Sequence, residues 1–364
     1  MDNTFKSALE ERPGVDQPVS VNPNLVRKKR QELSVDDYVA GIVRGDWMVL
    51  SRAITMIESS KPEHLHTAQL IIERCLPHSG RSLRIGITGV PGVGKSTFIE
   101  AFGNLLTQEG HKVAVLAIDP SSERTKGSIL GDKTRMESLS VNPKAFIRPS
   151  PSGSTLGGVA RKTRESIILC EAAGYDVIIV ETVGVGQSET AVKSMVDFFL
   201  LLMLAGAGDE LQGIKRGIME MADALIINKA DGDNKQKAFQ AQSQYRAALK
   251  LFPQTDSQWT VPVEVCSALE NFAIDKVWEM IRQYEDHTKA NGYFEKNRSE
   301  QLVNIFHNWI QFTLQHNFYN QPQTEEEIER LLPMIRNKVI SPYMAATRLI
   351  EQVSHIKAEK CHLK

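Results

Sequence analysis

The chain has 364 residues, 41% hydrophobic and 24% charged, which supplies one large core with one or two helical attachments. Its formal net charge of −1 excludes a global electrostatic pull toward nucleic acid or an anionic membrane. Four cysteines, Cys75, Cys170, Cys266 and Cys361, lie far apart with no Cys-x-x-Cys pair, which excludes a disulfide framework and a zinc site and suits a reducing compartment.

Residues 1–33 are polar, carry Pro13, Pro18 and Pro23, and show no period, as a flexible N-terminal arm would. The basic run Arg27-Lys28-Lys29-Arg30 inside it reads as a solvated segment. No apolar signal core opens the sequence, and Asp2, Glu10, Glu11 and Asp16 argue against a transit peptide; a bacterial cytoplasm is the expected location. Residues 34–80 form a helical segment. Its start is capped at Ser34 before Asp36-Asp37, and apolar positions recur through Ile42, Met48 and Leu50. A second helix is expected from about Glu63 to Cys75, with His64 and His66 on its surface, and Pro77-His78-Ser79-Gly80 ends the segment.

Residues 81–292 alternate short apolar runs with amphipathic stretches. The runs are 83–88, 112–118, 176–180, 197–204, 224–227 and 261–265, each short and mostly apolar, as strands covered on both faces should be. The pattern is that of an α/β fold, a doubly wound and mostly parallel sheet. The longest apolar run, 198–207, is about half of a membrane span and reads as a buried strand, so no membrane partner is expected. From 293 to 364 only helical patterns remain, broken at Pro322, Pro333 and Pro342, which predicts a C-terminal arm of three helices.

The first strand runs into Gly89-Val90-Pro91-Gly92-Val93-Gly94-Lys95-Ser96, followed by Thr97, which matches G-x-x-x-x-G-K-[ST] at every fixed position. Glycines let successive N–H groups curl around phosphates, and the helix that follows adds its positive end. Lys95 is expected to reach the terminal phosphates and Ser96 to ligate Mg²⁺. About 130 residues on, a strand delivers Asn228-Lys229-Ala230-Asp231, the N-K-x-D pattern. Asp231 can accept from guanine N1–H and N2–H₂, donors that adenine lacks, so the loop selects GTP and GDP over adenine nucleotides. Lys229 lays its stem over the base and Asn228 braces the loop. A later strand ends in Cys266-Ser267-Ala268-Leu269, where a backbone N–H can meet guanine O6.

Three carboxylates are candidates for magnesium or for positioning the attacking water: Asp119 after the second strand, Asp132 in the long loop beyond it, and Glu181. Glu181 opens Glu181-Thr182-Val183-Gly184, in which the Gly184 N–H can meet a γ-phosphate. The position where many GTPases place a water-orienting glutamine holds Val185, with Gln187 and Ser188 nearby, which predicts slow hydrolysis until a partner completes the site. Residues 206–217 hold four glycines together with Lys215 and Arg216, a third mobile loop.

The runs 89–97, 119–122, 181–189, 209–223 and 228–231 closely resemble the MeaB/ArgK family, to which the MMAA proteins belong, and the similarity extends from Ser34 to the C-terminus. The resemblance implies a GTPase chaperone of an adenosylcobalamin-dependent acyl-CoA mutase, methylmalonyl-CoA mutase foremost. In it GTP binding and hydrolysis gate cofactor loading, and the client speeds hydrolysis. It also implies a homodimer joined partly through the C-terminal helices, a third switch at 209–217 with Lys215 as its key base, and metal or hydrolysis roles for Asp119, Asp132 and Glu181. No D-x-H-x-x-G cobalamin motif is present; Asp286-His287-Thr288 lacks the spacing. A nickel-inserting GTPase would want a His-rich tract or a Cys pair, and neither occurs. A kinase tied to amino-acid (lysine/arginine/ornithine) transport has no need of N-K-x-D, and a scaffold using GTP only structurally is separated by single-turnover hydrolysis.

Overall fold

The structure, a computed structural model, describes residues 33–59, 61–118, 136–149, 156–182, 188–205 and 216–361. The expected N-terminal arm lies almost wholly outside them. Helix α1 (Val35–Val43) begins on a capping box: Asp37 N–H donates to Ser34 Oγ (3.1 Å) while Ser34 N–H donates to the Asp37 carboxylate (3.0 Å). The apolar period through Met48 and Leu50 suggests one continuous helix, but Gly45 at φ +78° turns the chain and Asp46 caps a second one, α2 (Trp47–Glu58). With α3 (Pro62–Cys75) these helices bury Tyr38, Ile42, Leu50, Ile54 and Ile71 in one cluster.

The chain then alternates β1 (Leu83–Gly89), α4 (Lys95–Gln108), β2 (Val113–Ile118), the short α5 (Glu137–Ser140), β3 (Ala145–Arg148), α6 (Leu156–Ala172), β4 (Val177–Thr182), α7 (Ser188–Lys193), β5 (Phe198–Leu204), α8 (Arg216–Met221), β6 (Ala224–Asn228), α9 (Lys235–Leu249), β7 (Val263–Val265) and α10 (Ile274–Ala290). The seven strands lie in the order β3-β2-β4-β1-β5-β6-β7 and every pairing is parallel. Edge strand β3 was not expected from the sequence: its four residues, Ala145-Phe146-Ile147-Arg148, bury only Phe146 fully, too short and mixed a pattern to stand out. The last strand is shorter than the apolar run 261–265 suggests, because Pro262 has no N–H to give to a ladder.

Both faces are covered, which is why the strands read as continuous apolar runs. Along β5, Phe198, Leu200 and Leu202 meet Phe98 and Phe102 of α4 and Tyr284 of α10, while the alternate residues Leu201 and Met203 pack with β6, β7 and α9 on the other face. Parallel strands put all their carboxyl ends on one edge. The carboxyl ends of β1, β4, β6 and β7 therefore lie together there, at the two sides of the central strand where the winding reverses.

Beyond Gly292 (φ +78°) come α11 (Tyr293–Tyr319), α12 (Pro322–Arg336) and α13 (Pro342–Cys361). Pro333 does not separate helices; it lies inside the last turn-and-a-half of α12, which stops at Arg336. The arm is pinned to the sheet domain by Arg298 on α11, whose Nε and Nη2 donate to the Asp197 carboxylate (2.8 and 2.7 Å) and whose Nη atoms also donate to the carbonyls of Gly80 and Ser82. Gln301 adds a bond to the Val196 carbonyl (2.8 Å). No helix among the described residues is long and apolar enough to cross a membrane.

Candidate active site

The site starts with the end of β1. A Cβ on Gly89 would stand 2.5 Å from the Leu202 carbonyl oxygen, so only glycine lets the strand leave beside β5 at this point. Gly92 and Gly94 take φ of +77° and +87°, left-handed values that turn the chain, as a loop that curls around phosphate requires. Helix α4 opens at Lys95, and the N–H groups of Lys95, Ser96 and Thr97 in its first turn have no acceptor within the helix, so their partial positive charge faces the loop. Val93 is buried and anchors the loop, while Pro91 and Gly92 are exposed and Val90 and Ser96 half-buried.

Lys95 folds back across the loop, its Nζ donating to the Gly89 carbonyl (2.9 Å). Burial pushes its pKa below the usual lysine value, an effect opposed by the charges of Glu181 and Glu189. Glu181 sits near the end of β4, buried, opposite Ile87 of β1 and Ala117 of β2. Beside it Thr182 donates its hydroxyl to that of Thr88 (2.8 Å), both fully buried, so the strand leading into 183–187 is tied to the strand leading into the phosphate loop. Glu189, in the first turn of α7, is fully buried and acts on the same lysine. Sequence reasoning passed over it as a site residue; a carboxylate in the first turn after the Glu181–Ser188 run was the available signal.

The base-reading side is organised by Asn228, the last residue of β6. Its Nδ2 donates to the Val93 carbonyl in the phosphate loop (2.9 Å), and its Oδ1 accepts from the Ala268 N–H (3.1 Å). One buried side chain thus joins three loops, with Ala230 N–H to Cys266 O (3.0 Å) as a second strut. Lys229 takes a positive φ of 60°, and its stem runs past Gly94, with Cε 3.6 Å from where a Cβ on that glycine would be. Asp231 accepts a bond from Ser267 Oγ (2.7 Å), and Ser267 Oγ in turn accepts from Glu270 N–H (3.2 Å). The Ser267 N–H is engaged with Phe272 O (3.1 Å), so neither expected amide, Ser267 or Ala268, is turned outward in this arrangement. For the Ala268 N–H to reach a guanine oxygen it must exchange its bond to Asn228. Leu269 is exposed at the rim.

The structure therefore brings together Gly89–Thr97, Glu181, Asn228, Lys229, Asp231, Ser267, Ala268 and Leu269 on one edge of the sheet. Asp119, Asp132, Gly184, Val185, Gln187 and Lys215 lie outside the described residues. Among the described residues no group of three or more His, Cys, Asp or Glu is placed to hold a metal. A phosphate cradle beside a half-buried lysine, braced to a loop carrying a carboxylate, can bind a nucleoside phosphate and stabilise charge developing on its terminal phosphate.

The family whose model matches is described as "Methylmalonyl Co-A mutase-associated GTPase MeaB" and spans residues 50–323. "GTPase ArgK" of Escherichia coli is 44% identical over 324 residues, covering 88% of this chain and 97% of that one. A mouse protein, "Methylmalonic aciduria type A homolog, mitochondrial", is 43% identical over 332 residues, covering 88% of this chain and 80% of that one. A crystal structure described as "LAO/AO transport system kinase" superposes with a TM-score of 0.69 at 37% identity, covering 90% of this chain and all of that one.

Proposed function

The chain belongs to the MeaB family of methylmalonyl-CoA mutase-associated GTPases, and from that premise we propose that this GTPase serves an adenosylcobalamin-dependent acyl-CoA mutase, coupling GTP turnover to loading and protection of the client's cofactor. The observation that carries the nucleotide half of the proposal is Asn228, which fixes the loop holding Asp231 at a set distance from the phosphate loop. A ligand spanning both must carry a guanine at one end and phosphates at the other. The client half rests on the family.

In the proposed cycle the N–H groups of 92–97 hold the β- and γ-phosphates, and Lys95 exchanges its bond to the Gly89 carbonyl for the γ-phosphate oxygens. Burial strengthens that contact, because little water competes for the ammonium. Water adds to the γ-phosphorus as its bond to the bridging oxygen breaks, releasing GDP and phosphate. Asp231 accepts from the guanine N–H groups and Ser267 holds the carboxylate in orientation.

Magnesium fits the donor set present: the Ser96 hydroxyl in the first helical turn and the buried Glu181 carboxylate are hard oxygen donors of the kind it takes, directly or through water. When bound it would neutralise charge on the β- and γ-oxygens. Asp119, Asp132, Gly184 and Lys215 complete the proposed set on sequence grounds. Val185 cannot orient water, so turnover is slow alone and the mutase supplies what is missing, with the 293–364 arm joining two copies of the chain.

The test is steady-state GTP hydrolysis, alone and with each adenosylcobalamin-dependent mutase of the same organism, with ATP as control. A basal rate raised at least tenfold by one mutase identifies the client. A fast basal rate indifferent to every mutase removes the partner-completed site and leaves the mutase client resting on family membership without a mechanism.

A further inference from the structure

Away from the nucleotide edge, a cleft of about 1260 Å³ opens between α3, α6, the end of α7 and α11, of the size of a small-molecule site or larger. Its walls are apolar, built from Ile72, Ile168, Leu302, Ile305 and Phe312. Set into them are two arginines of α6, one helical turn apart.

Their situations differ. The Arg161 guanidinium lies over the rings of Trp309 (5.0 Å) and Phe312 (4.8 Å) and pairs with Glu165 at 3.6 Å. Arg164 has a single hydrogen bond among the described residues, from Nη2 to Ser194 Oγ (2.6 Å), while its Nε is buried with no acceptor. No described carboxylate lies within ion-pair distance of it, and burial pushes its pKa below the usual arginine value. The other cations lining the cleft are accounted for: Arg84 is held by Glu171 and Arg298 by Asp197. Glu73 and Glu295 also line the cleft but are exposed at its rim, where solvent screens them. A half-buried guanidinium without a counter-ion, facing apolar walls, is an arrangement that an anion completes.

We propose that this cleft binds a small organic anion with an apolar body, its carboxylate seated on Arg164 and its chain lying against α11. A guanidinium presents two parallel donors that a carboxylate matches in its plane, and the apolar walls reward a hydrocarbon tail that inorganic phosphate lacks. Because α11 carries the arm and Ser194 follows α7, the ligand touches both sides of the junction between arm and sheet domain.

Decanoate is the probe, with decanol and inorganic phosphate as its separate halves, measured by calorimetry and by Trp309 fluorescence on the full chain. Decanoate should bind saturably, one per chain, and at least tenfold more tightly than either half. Arg164→Met should weaken it at least tenfold and Arg164→Lys less, with basal GTP hydrolysis unchanged in both. Ser194→Asp places a carboxylate against Arg164 within the chain, and should raise the melting temperature while abolishing decanoate binding. The proposal is overturned if decanol binds as well as decanoate, if phosphate alone binds as well, if no saturable binding is seen, or if Ser194→Asp and Arg164→Met both leave binding intact.

Discussion

Single side chains set the geometry of this site, and Asn228 sets the most. Truncation in Asn228→Ala leaves the Val93 carbonyl and the Ala268 N–H buried without partners, which should destabilise the fold by about 2–4 kcal/mol, read from denaturant unfolding. A change under 1 kcal/mol would mean water or a neighbour replaces both bonds. Asp231→Ala removes the guanine-reading carboxylate with little harm to packing, because the residue is only half-buried. It should lower GTP affinity on the order of a hundredfold and leave ATP affinity where it was, measured by nucleotide titration. Equal losses for both nucleotides would show that Asp231 supports the loop and does not read the base.

At the level of elements, the joint between α11, β1 and α6 is electrostatic. Glu171 on α6 accepts from Ser82 Oγ, Gly80 N–H and the Arg84 guanidinium, and its carboxylate is almost completely buried. Burial alone would raise its pKa, but the charge and hydrogen bonds of Arg84, with those of Ser82 and Gly80, outweigh it and hold the group below the ordinary carboxylate value. A depressed pKa means the folded state favours the ionised form. The stabilisation is complete above the ordinary glutamate pKa of about 4.3–4.5 and is lost as pH falls through it toward the folded value. The melting temperature should therefore drop below about pH 4.5, and Glu171→Gln should both lower it at neutral pH and flatten that acid slope. An unchanged slope in the variant would assign the acid transition to other carboxylates.

For the whole molecule, the nucleotide edge gathers the carboxyl ends of four strands, so a bound nucleotide bridges segments far apart in sequence. GTP at about a hundred times its dissociation constant should add roughly 2.7 kcal/mol of stability, a melting shift of about 5–10 °C for a domain of this size, and ATP should add none. An equal shift with ATP would place the specificity outside the base-reading loop. The helical arm answers to different physics. Leu302, Phe306 and Leu314 on α11 and Tyr343 and Met344 on α13 stand exposed, and among the described residues a small cluster around Leu331, Ala345 and Leu349 packs α12 against α13.

What the sequence determined by itself is whatever local chemistry enforces. The phosphate loop is legible because φ of +77° and +87° at Gly92 and Gly94 strongly favours glycine, and because the lysine and serine follow at fixed offsets. The strands are legible because burial on both faces demands unbroken apolar runs, as in Phe198–Leu204. Asn228 and Asp231 are visible as a motif. The fold adds partners distant in the chain: that Asn228 bonds to Val93 and Ala268, that Ser267 holds Asp231, that Glu189 presses its charge on Lys95, and that Arg164 has no counter-ion among the described residues while Arg84 and Arg298 have theirs. Edge strand β3 and the break at Gly45 belong with these. A four-residue strand is stabilised by its neighbour β2 more than by its own composition, and the glycine at φ +78° turns the chain so that α1 and α2 share one apolar cluster. Periodicity and motif spacing record what a residue needs from its own segment; ion pairs and cross-loop hydrogen bonds depend on where the sheet order carries that segment, and this is set by the packing of the entire chain.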